Sequence, residues 1–431
     1  MDRYIKISPR DFINEPYIDC PKCGEKAFGI LMICDNHYCR RCRECFHPRG
    51  HEKAAAYPLP ELNKKIIYLD QFAISNMMLA LNPETKAHQT GKVDPFWKTL
   101  FEKVDCLCKL QLIICPDSDF HRHESMLSTF YEPLKRMYEL LSSGLSFYDH
   151  DTIHRFQIIE QLYKWLGDPE FKEIGVRDVV HGNINAWQEK FIFSVGNFKI
   201  PGLVQEIRAA REKIAENLKP VFQRWQSENG KEFEYWVEEE KKAHAKVLWE
   251  RYSKILQSFA SASLGVGELD PWGLLDFASI TVNQILETLK KHGTEKKDLF
   301  AKLADFLRSD VFENTPYIKI SAMLWAALAR KAASGRKEPP NRGCVTDIEI
   351  VLTLLPYCDA MFIDNEFRGY LSESPLYTEI KYETQIFSYK TKEAFLWYLD
   401  DIRSNAAHSH LEKVTEVYGD EWAKPFTELY S

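Results

Sequence analysis

Two short apolar runs, each closed by an aspartate, lie at opposite ends of this chain: "IIYLDQ" at residues 66 to 71 and "AMFIDNEF" at residues 360 to 367. Each reads as a buried strand that turns straight into a helix. A strand that is apolar on both faces needs helices over both faces, and one such strand cannot form a sheet alone. Between them, from Ser118 to Gly335, apolar residues recur at three- and four-residue spacings typical of helices. The sheet is therefore expected to be assembled from both ends of the chain, with a helical body inserted between its halves.

The expected organisation follows. Residues 1–50 form a small Cys-rich unit, and residues 51–64 form a linker in which Pro58 and Pro60 block regular structure. Residues 65–117 supply the first half of an α/β domain, including a second strand within "LQLIICP" (110 to 116). Residues 118–336 are an all-α insertion, clearest in "GKEFEYWVEEEKKAHAKVLWERYSKILQSFA" (230 to 260). Residues 337–431 return to α/β. There "VTDIEIVLTLLPYC" reads as a helix stopped at Pro356, "DAMFID" and "TQIFSY" as strands, and the C-terminal stretch as amphipathic helix.

With 431 residues, 45% of them hydrophobic, the chain can build real cores. Its net charge of −7 gives no global attraction for nucleic acid, so any such binding must come from local patches. No apolar run approaches the roughly 18 to 20 residues of a membrane span. The opening "MDRYIKISPRDF" lacks the apolar centre of a secretory signal, so a cytoplasmic location is expected.

Six of the eleven cysteines fall between Cys20 and Cys45. Cys20-x-x-Cys23 and Cys39-x-x-Cys42-x-x-Cys45 have the spacing with which paired thiolates clasp one tetrahedral zinc. If Asp35–Asn36 is the intervening turn, Cys42 and Cys45 give better-matched arms than Cys39. The expected ligands are then Cys20, Cys23, Cys42 and Cys45, with Cys39, His37 and His47 as alternatives. Four thiolates leave no open position, which makes the zinc structural. Arg40, Arg41 and Arg43 crowd the second knuckle beside Phe46 and Arg49. They are candidates for gripping a phosphate backbone, or merely offset the thiolate charge.

Four acids share one local setting. Asp70 and Asp364 end strands, Glu124 opens a helix after the second strand, and Asp347 is expected at the start of a helix. The carboxyl ends of strands in an open parallel sheet lie along one edge. Four carboxylates gathered there repel one another unless a cation lies between them, and Mg²⁺ or Mn²⁺ suits oxygen donors. The ordinary alternative is capping: Asp70 at a helix N-terminus, and Thr346-x-x-Glu349 as a capping box around Asp347. His121 and His123 read as exposed polar residues at a helix start, and Cys358 as a buried apolar one. Lys64 and Lys65 are candidates for steering a nucleic-acid backbone.

"IIYLDQ" together with "DIEIVLTLLPYCDAMFIDNEF" resembles the first and last acidic motifs of the PIN-domain nucleases. The resemblance covers about residues 62 to 130 and 340 to 400, and Asp70, Asp347 and Asp364 match its acids. Glu124 matches the second acid more loosely, with Asp117, Asp119 and Glu366 as fallbacks. It implies a Rossmann-like sheet and metal-dependent cleavage of RNA, with single-stranded DNA as the lesser alternative, often by toxins or defence effectors. The chain departs from the family at Phe72, where a small hydroxyl residue is usual; Gln71 or Ser75 would have to substitute. The long insertion implies gating or a regulatory protein partner.

Two other readings compete. Arg403 and His408 have the spacing of HEPN-type ribonucleases, which cut RNA without metal through acid–base chemistry. Alternatively, a zinc ribbon with an inactive PIN-like domain binds RNA or protein, with Trp236, Trp249, Trp272 and Trp325 as its docking surface.

Overall fold

The computed structural model describes residues 30–34, 37–41, 48–49, 57–169, 171–188, 201–228, 230–266, 273 and 275–430. The protein is mostly helical and is organised around a small parallel sheet.

That sheet has four strands in the order Gln385–Phe387, Ala360–Phe362, Lys65–Leu69 and Ile113–Ile114. Every pairing within it is parallel. Two strands come from the first third of the chain and two from the last quarter, so the sheet is built from both halves as expected. Register is set at the centre, where Ile67, Tyr68 and Leu69 lie opposite Ala360, Met361 and Phe362. Asp359 fixes the entry to this pair: its backbone N–H donates to Ile66 O, and its carboxylate accepts from Ile66 N, both at 2.8 Å.

Alternation along Lys65–Leu69 separates two cores. Ile67 and Leu69 point to one face, packed with Ala360, Phe362 and the helices Gln71–Leu81, Phe96–Lys109 and Lys392–Ser404. Ile66 and Tyr68 point to the other, together with Met361 and Ile363, against the helical body. Phe362 is the hub of the first core, with the rings of Phe72, Phe96, Trp97 and Phe395 at 5.0–6.1 Å from its own. Truncating it to alanine would cost about 3–5 kcal/mol.

The helical body includes His150–Leu166, Pro201–Ser227, Phe233–Ser263, Phe277–Lys291 and Pro316–Ala333. Phe233–Ser263 lies along Pro316–Ala333, where His244 meets Ser321 and Tyr317. The stretch expected to be wholly helical also holds a two-residue antiparallel ladder, Ser146–Phe147 with Val180–His181. The helix Tyr131–Ser142 puts Leu134, Met137 and Leu141 into the sheet's own core. The C-terminal stretch is two helices, Lys392–Ser404 and His408–Tyr418. No described helix is long and apolar enough to cross a membrane.

In the N-terminal region Ile30–Cys34 and His37–Arg41 pair antiparallel, with Cys34 opposite His37, so their strands flank the expected turn at Asp35–Asn36. Cys39, Arg40 and Arg41 belong to the second of these strands. Cys20, Cys23, Cys42, Cys45, Arg43 and His47 lie outside the described residues.

Candidate active site

Asp70 leaves the strand Lys65–Leu69 and becomes the N-cap of Gln71–Leu81, its Oδ1 accepting from Gln71 N at 2.6 Å. Asp364 does the same two residues beyond the neighbouring strand, capping Asn365–Ser372 by accepting from Phe367 N at 2.7 Å. The backbone N–H of Asp70 donates to Phe362 O at 3.0 Å, so both acids stand on the same edge of the central strand pair.

Asp347 reaches that edge from a different position than its sequence suggests. Asn341 caps the helix Arg342–Leu354, accepting from Gly343 N at 2.8 Å and Cys344 N at 3.0 Å. Asp347 therefore sits in the second turn rather than at the start, and the Thr346–Glu349 capping box does not form. Asp347 has no hydrogen-bond or ion-pair partner among the described residues. Glu124 lies inside the helix Asp119–Leu127, which is capped by Ser118, and its Oε1 accepts from Arg211 Nη2 at 3.0 Å.

The four acids influence one another's charge. Burial, then the charges of Asp70, Asp364, Glu124 and Glu366, push the Asp347 carboxyl up to about 9. Burial, then the charge of Glu124, pushes Asp70 up to about 8, with Asp364 adding to it against the Gln71 hydrogen bond. Burial also raises Glu124, opposed by Arg211, and raises Asp364, opposed by its backbone hydrogen bonds. Glu366 is different. Burial raises it, but hydrogen bonds from Tyr370 and Arg336, each at 2.6 Å, outweigh that and hold it below the ordinary range. It remains a fixed negative charge beside Asp347 and Asp364.

His121 is the residue most at odds with its expected exposure. It is 2% exposed, stacked on Tyr68 and on Tyr138 with ring centroids 5.0 and 6.1 Å away. Its Nε2–H donates to Leu69 O at 2.7 Å, pinning the carbonyl just before Asp70. Burial pushes it down to about 4, so the ring is neutral at pH 7. One turn on, Ser125 Oγ accepts from Gln71 Nε2 at 3.1 Å, which leaves the buried Gln71 Oε1 without a partner next to Asp70.

The fallback acids are committed elsewhere. Asp117 pairs with Arg122 at 3.3 Å, and Asp119 with His150 at 2.6 Å. Lys64 is buried and donates to Ala186 O at 2.7 Å, while Lys65 pairs with Asp359 at 3.3 Å. Cys358 is buried, as its apolar reading requires. Arg403 is exposed, and His408, also exposed, pairs with Glu412 at 3.3 Å. Trp236 is core, Trp325 packs partly buried against the same core, and Trp249 is 41% exposed; Trp272 lies outside the described residues.

Among the described residues no three His, Cys, Asp or Glu side chains are already drawn together tightly enough to grip one ion. The donor set nevertheless fits a hard divalent cation. It offers carboxylate oxygens whose mutual repulsion a cation relieves, and an orphaned amide carbonyl on Gln71 beside them. Arg211 is the one guanidinium paired with any of the four acids among the described residues, and sequence pattern gave no sign of it. Comparison with protein-family models, curated proteins and solved structures finds no match for this chain.

Proposed function

We propose that the chain is a divalent-metal-dependent endonuclease that hydrolyses RNA, with single-stranded DNA as a poorer substrate. The observation that carries this reading is the setting of Asp347: partnerless, half-buried and under repulsion from acids that reach it from three other segments. A group so placed costs stability as the anion, and a protein that keeps four such acids on one strand edge has a use for a cation there.

Asp70, Glu124, Asp347 and Asp364 would hold one or two Mg²⁺ or Mn²⁺. When bound, such ions neutralise phosphate charge and lower the pKa of water, which is the chemistry phosphodiester hydrolysis needs. The chain's own residues have distinct parts. The caps of Asp70 and Asp364 use their Oδ1 atoms, and their second oxygens would serve the metal. His121, neutral and wedged between two tyrosines, holds the strand end that carries Asp70. Arg211 neutralises Glu124 in the resting protein and is well suited to move onto a substrate phosphate, where a guanidinium binds in bidentate fashion.

In this reading the sheet is a Rossmann-like PIN core, the Cys-rich unit is a zinc ribbon that adds affinity for the substrate strand, and the helical body restricts access. The test uses the full chain and a labelled single-stranded RNA with Mg²⁺ or Mn²⁺. Cleavage should appear with metal, stop with chelator and fall to background in Asp347→Asn. Cleavage that survives both treatments would refute the proposal and favour Arg403 and His408.

A further inference from the structure

A cleft of about 540 Å³ opens beside Asp364, within the size range of small-ligand sites. Its walls are Phe72, Trp97 and Tyr389, with Asn76, Asn365 and Glu366 between them. We propose that this cleft is a nucleobase subsite that seats one base of the strand whose phosphate meets the carboxylates, with preference for bases carrying an exocyclic amine. It rests on the nuclease reading for the identity of the strand, and its chemistry is independent of cutting.

Continuity with the acids comes first. Phe72 stands two residues after Asp70, and Asn365 immediately follows Asp364, so each side of the cleft grows out of a residue that holds a carboxylate. Phe72 is also where the chain departs from the PIN pattern: the ring occupies the place of a small hydroxyl residue. The aromatic walls are held in place. Tyr389 stacks on the nearly buried Trp97 with centroids 5.6 Å apart and planes 18° off parallel. Its hydroxyl donates to Asp94 at 2.5 Å, and Lys392 braces Asp94 at 2.7 Å. Lys392 Nζ lies 4.6 Å from the Tyr389 ring centroid, and the ring remains 37% exposed at the mouth of the cleft.

The polar groups set the preference. Asn76 Nδ2 donates to Phe72 O at 2.7 Å, and Asn365 Oδ1 accepts from Lys390 N at 3.0 Å. Among the described residues this leaves Asn76 Oδ1, Glu366 Oε2 and the second oxygen of Asp364 as acceptors against two donors, Asn365 Nδ2 and Trp97 Nε1. An acceptor-rich wall suits the amino groups of adenine, cytosine or guanine better than the two carbonyls of uracil.

The experiment measures binding of AMP, UMP and ribose 5-phosphate to the full chain in Mg²⁺ by calorimetry. None of the three holds an internucleotide bond. AMP should bind about 5- to 100-fold tighter than ribose 5-phosphate, the worth of one stacked base, with UMP between them. Tyr389→Ala should remove most of that advantage, and Asn76→Ala, mild in a helix, should narrow the preference of AMP over UMP while keeping the stacking. Equal binding of AMP and ribose 5-phosphate, no binding of AMP, or variants that keep both preferences would overturn the subsite. A base preference lost in the variants, in a protein that cuts no RNA, would uphold the subsite and refute hydrolysis.

Discussion

Replacing Asp347 by asparagine should make the metal-free protein more stable, and only at pH values where the acid would otherwise need to ionise. Asp347 has no hydrogen bond to lose, and asparagine and aspartate have similar helix propensities, so the substitution isolates charge. The folded carboxyl is pushed up to about 9 from an ordinary 3.8. A raised folded value means that the native state holds a proton the unfolded chain has released. Stability from this group is thus fully present below the unfolded value and is lost as pH rises through the folded one. At pH 7 the interval above 3.8 sets a ceiling of about 4 kcal/mol, at about 1.4 kcal/mol per pH unit. Half-burial and solvent screening of the repulsion from Asp70 reduce this to about 1–3 kcal/mol. Thermal melting of chelator-treated wild type and Asp347→Asn from pH 4 to 9 reads the difference directly. The curves should meet near pH 4 and diverge by several degrees at pH 8, the variant above. A variant that melts lower at pH 8, or an offset that does not change with pH, would refute the picture of crowded, unneutralised acids.

Millimolar Mn²⁺ should raise the wild-type melting midpoint at pH 8, with a gain of about 2.7 kcal/mol at a hundredfold excess over Kd, and should raise Asp347→Asn far less. Arg211→Gln removes the cation that competes for Glu124, so Mn²⁺ should bind it several-fold tighter in titration calorimetry; weaker binding would mean that Arg211 organises Glu124 instead. His121→Ala leaves Leu69 O unpaired and a void between Tyr68 and Tyr138, costing about 3 kcal/mol in denaturant unfolding. Elemental analysis should find one tightly held zinc per chain, lost in Cys23→Ser; a zinc content unaffected by that change would remove the ribbon.

The strand-ending acids were legible because their signal is local: an apolar run too short for a helix, stopped by a carboxylate and followed at once by helical spacing. That the two runs pair with each other follows from the sheet's need for neighbours. Asp347 was legible as one of the acids that gather at this edge but was misplaced in its helix. Pro339 and Pro340, followed by Asn341, mark the true start, and the capping box at Thr346 drew attention away from it. His121 was misjudged because tertiary contacts decide its burial, although its spacing from Glu124 and Ser125 already set all three near one helix face. Arg211 has no local signature at all. It lies 87 residues from Glu124 on a long, mostly solvated helix, and tertiary packing, including Val204 against Met126 and Tyr131, brings it to the acid.

Capping and site formation look like rival explanations for an acid at a strand exit, and here they are the same arrangement. The helix N-terminus after each strand needs an acceptor for its first free N–H groups, and a short acidic side chain meets that need with one oxygen. The second oxygen is not needed by the cap. In one strand this is an ordinary cap. In two adjacent parallel strands, Asp70 and Asp364 necessarily project from the same edge, because parallel pairing puts like ends together. Asp347 and Glu124 then add charge from helices with no capping role for either residue, so their presence calls for a separate cause. Asparagine would cap Asp70's and Asp364's helices as well as aspartate does, and at lower electrostatic cost. The excess of negative charge over what the caps require is thus the part of this edge that capping does not explain, and that the proposed cation would.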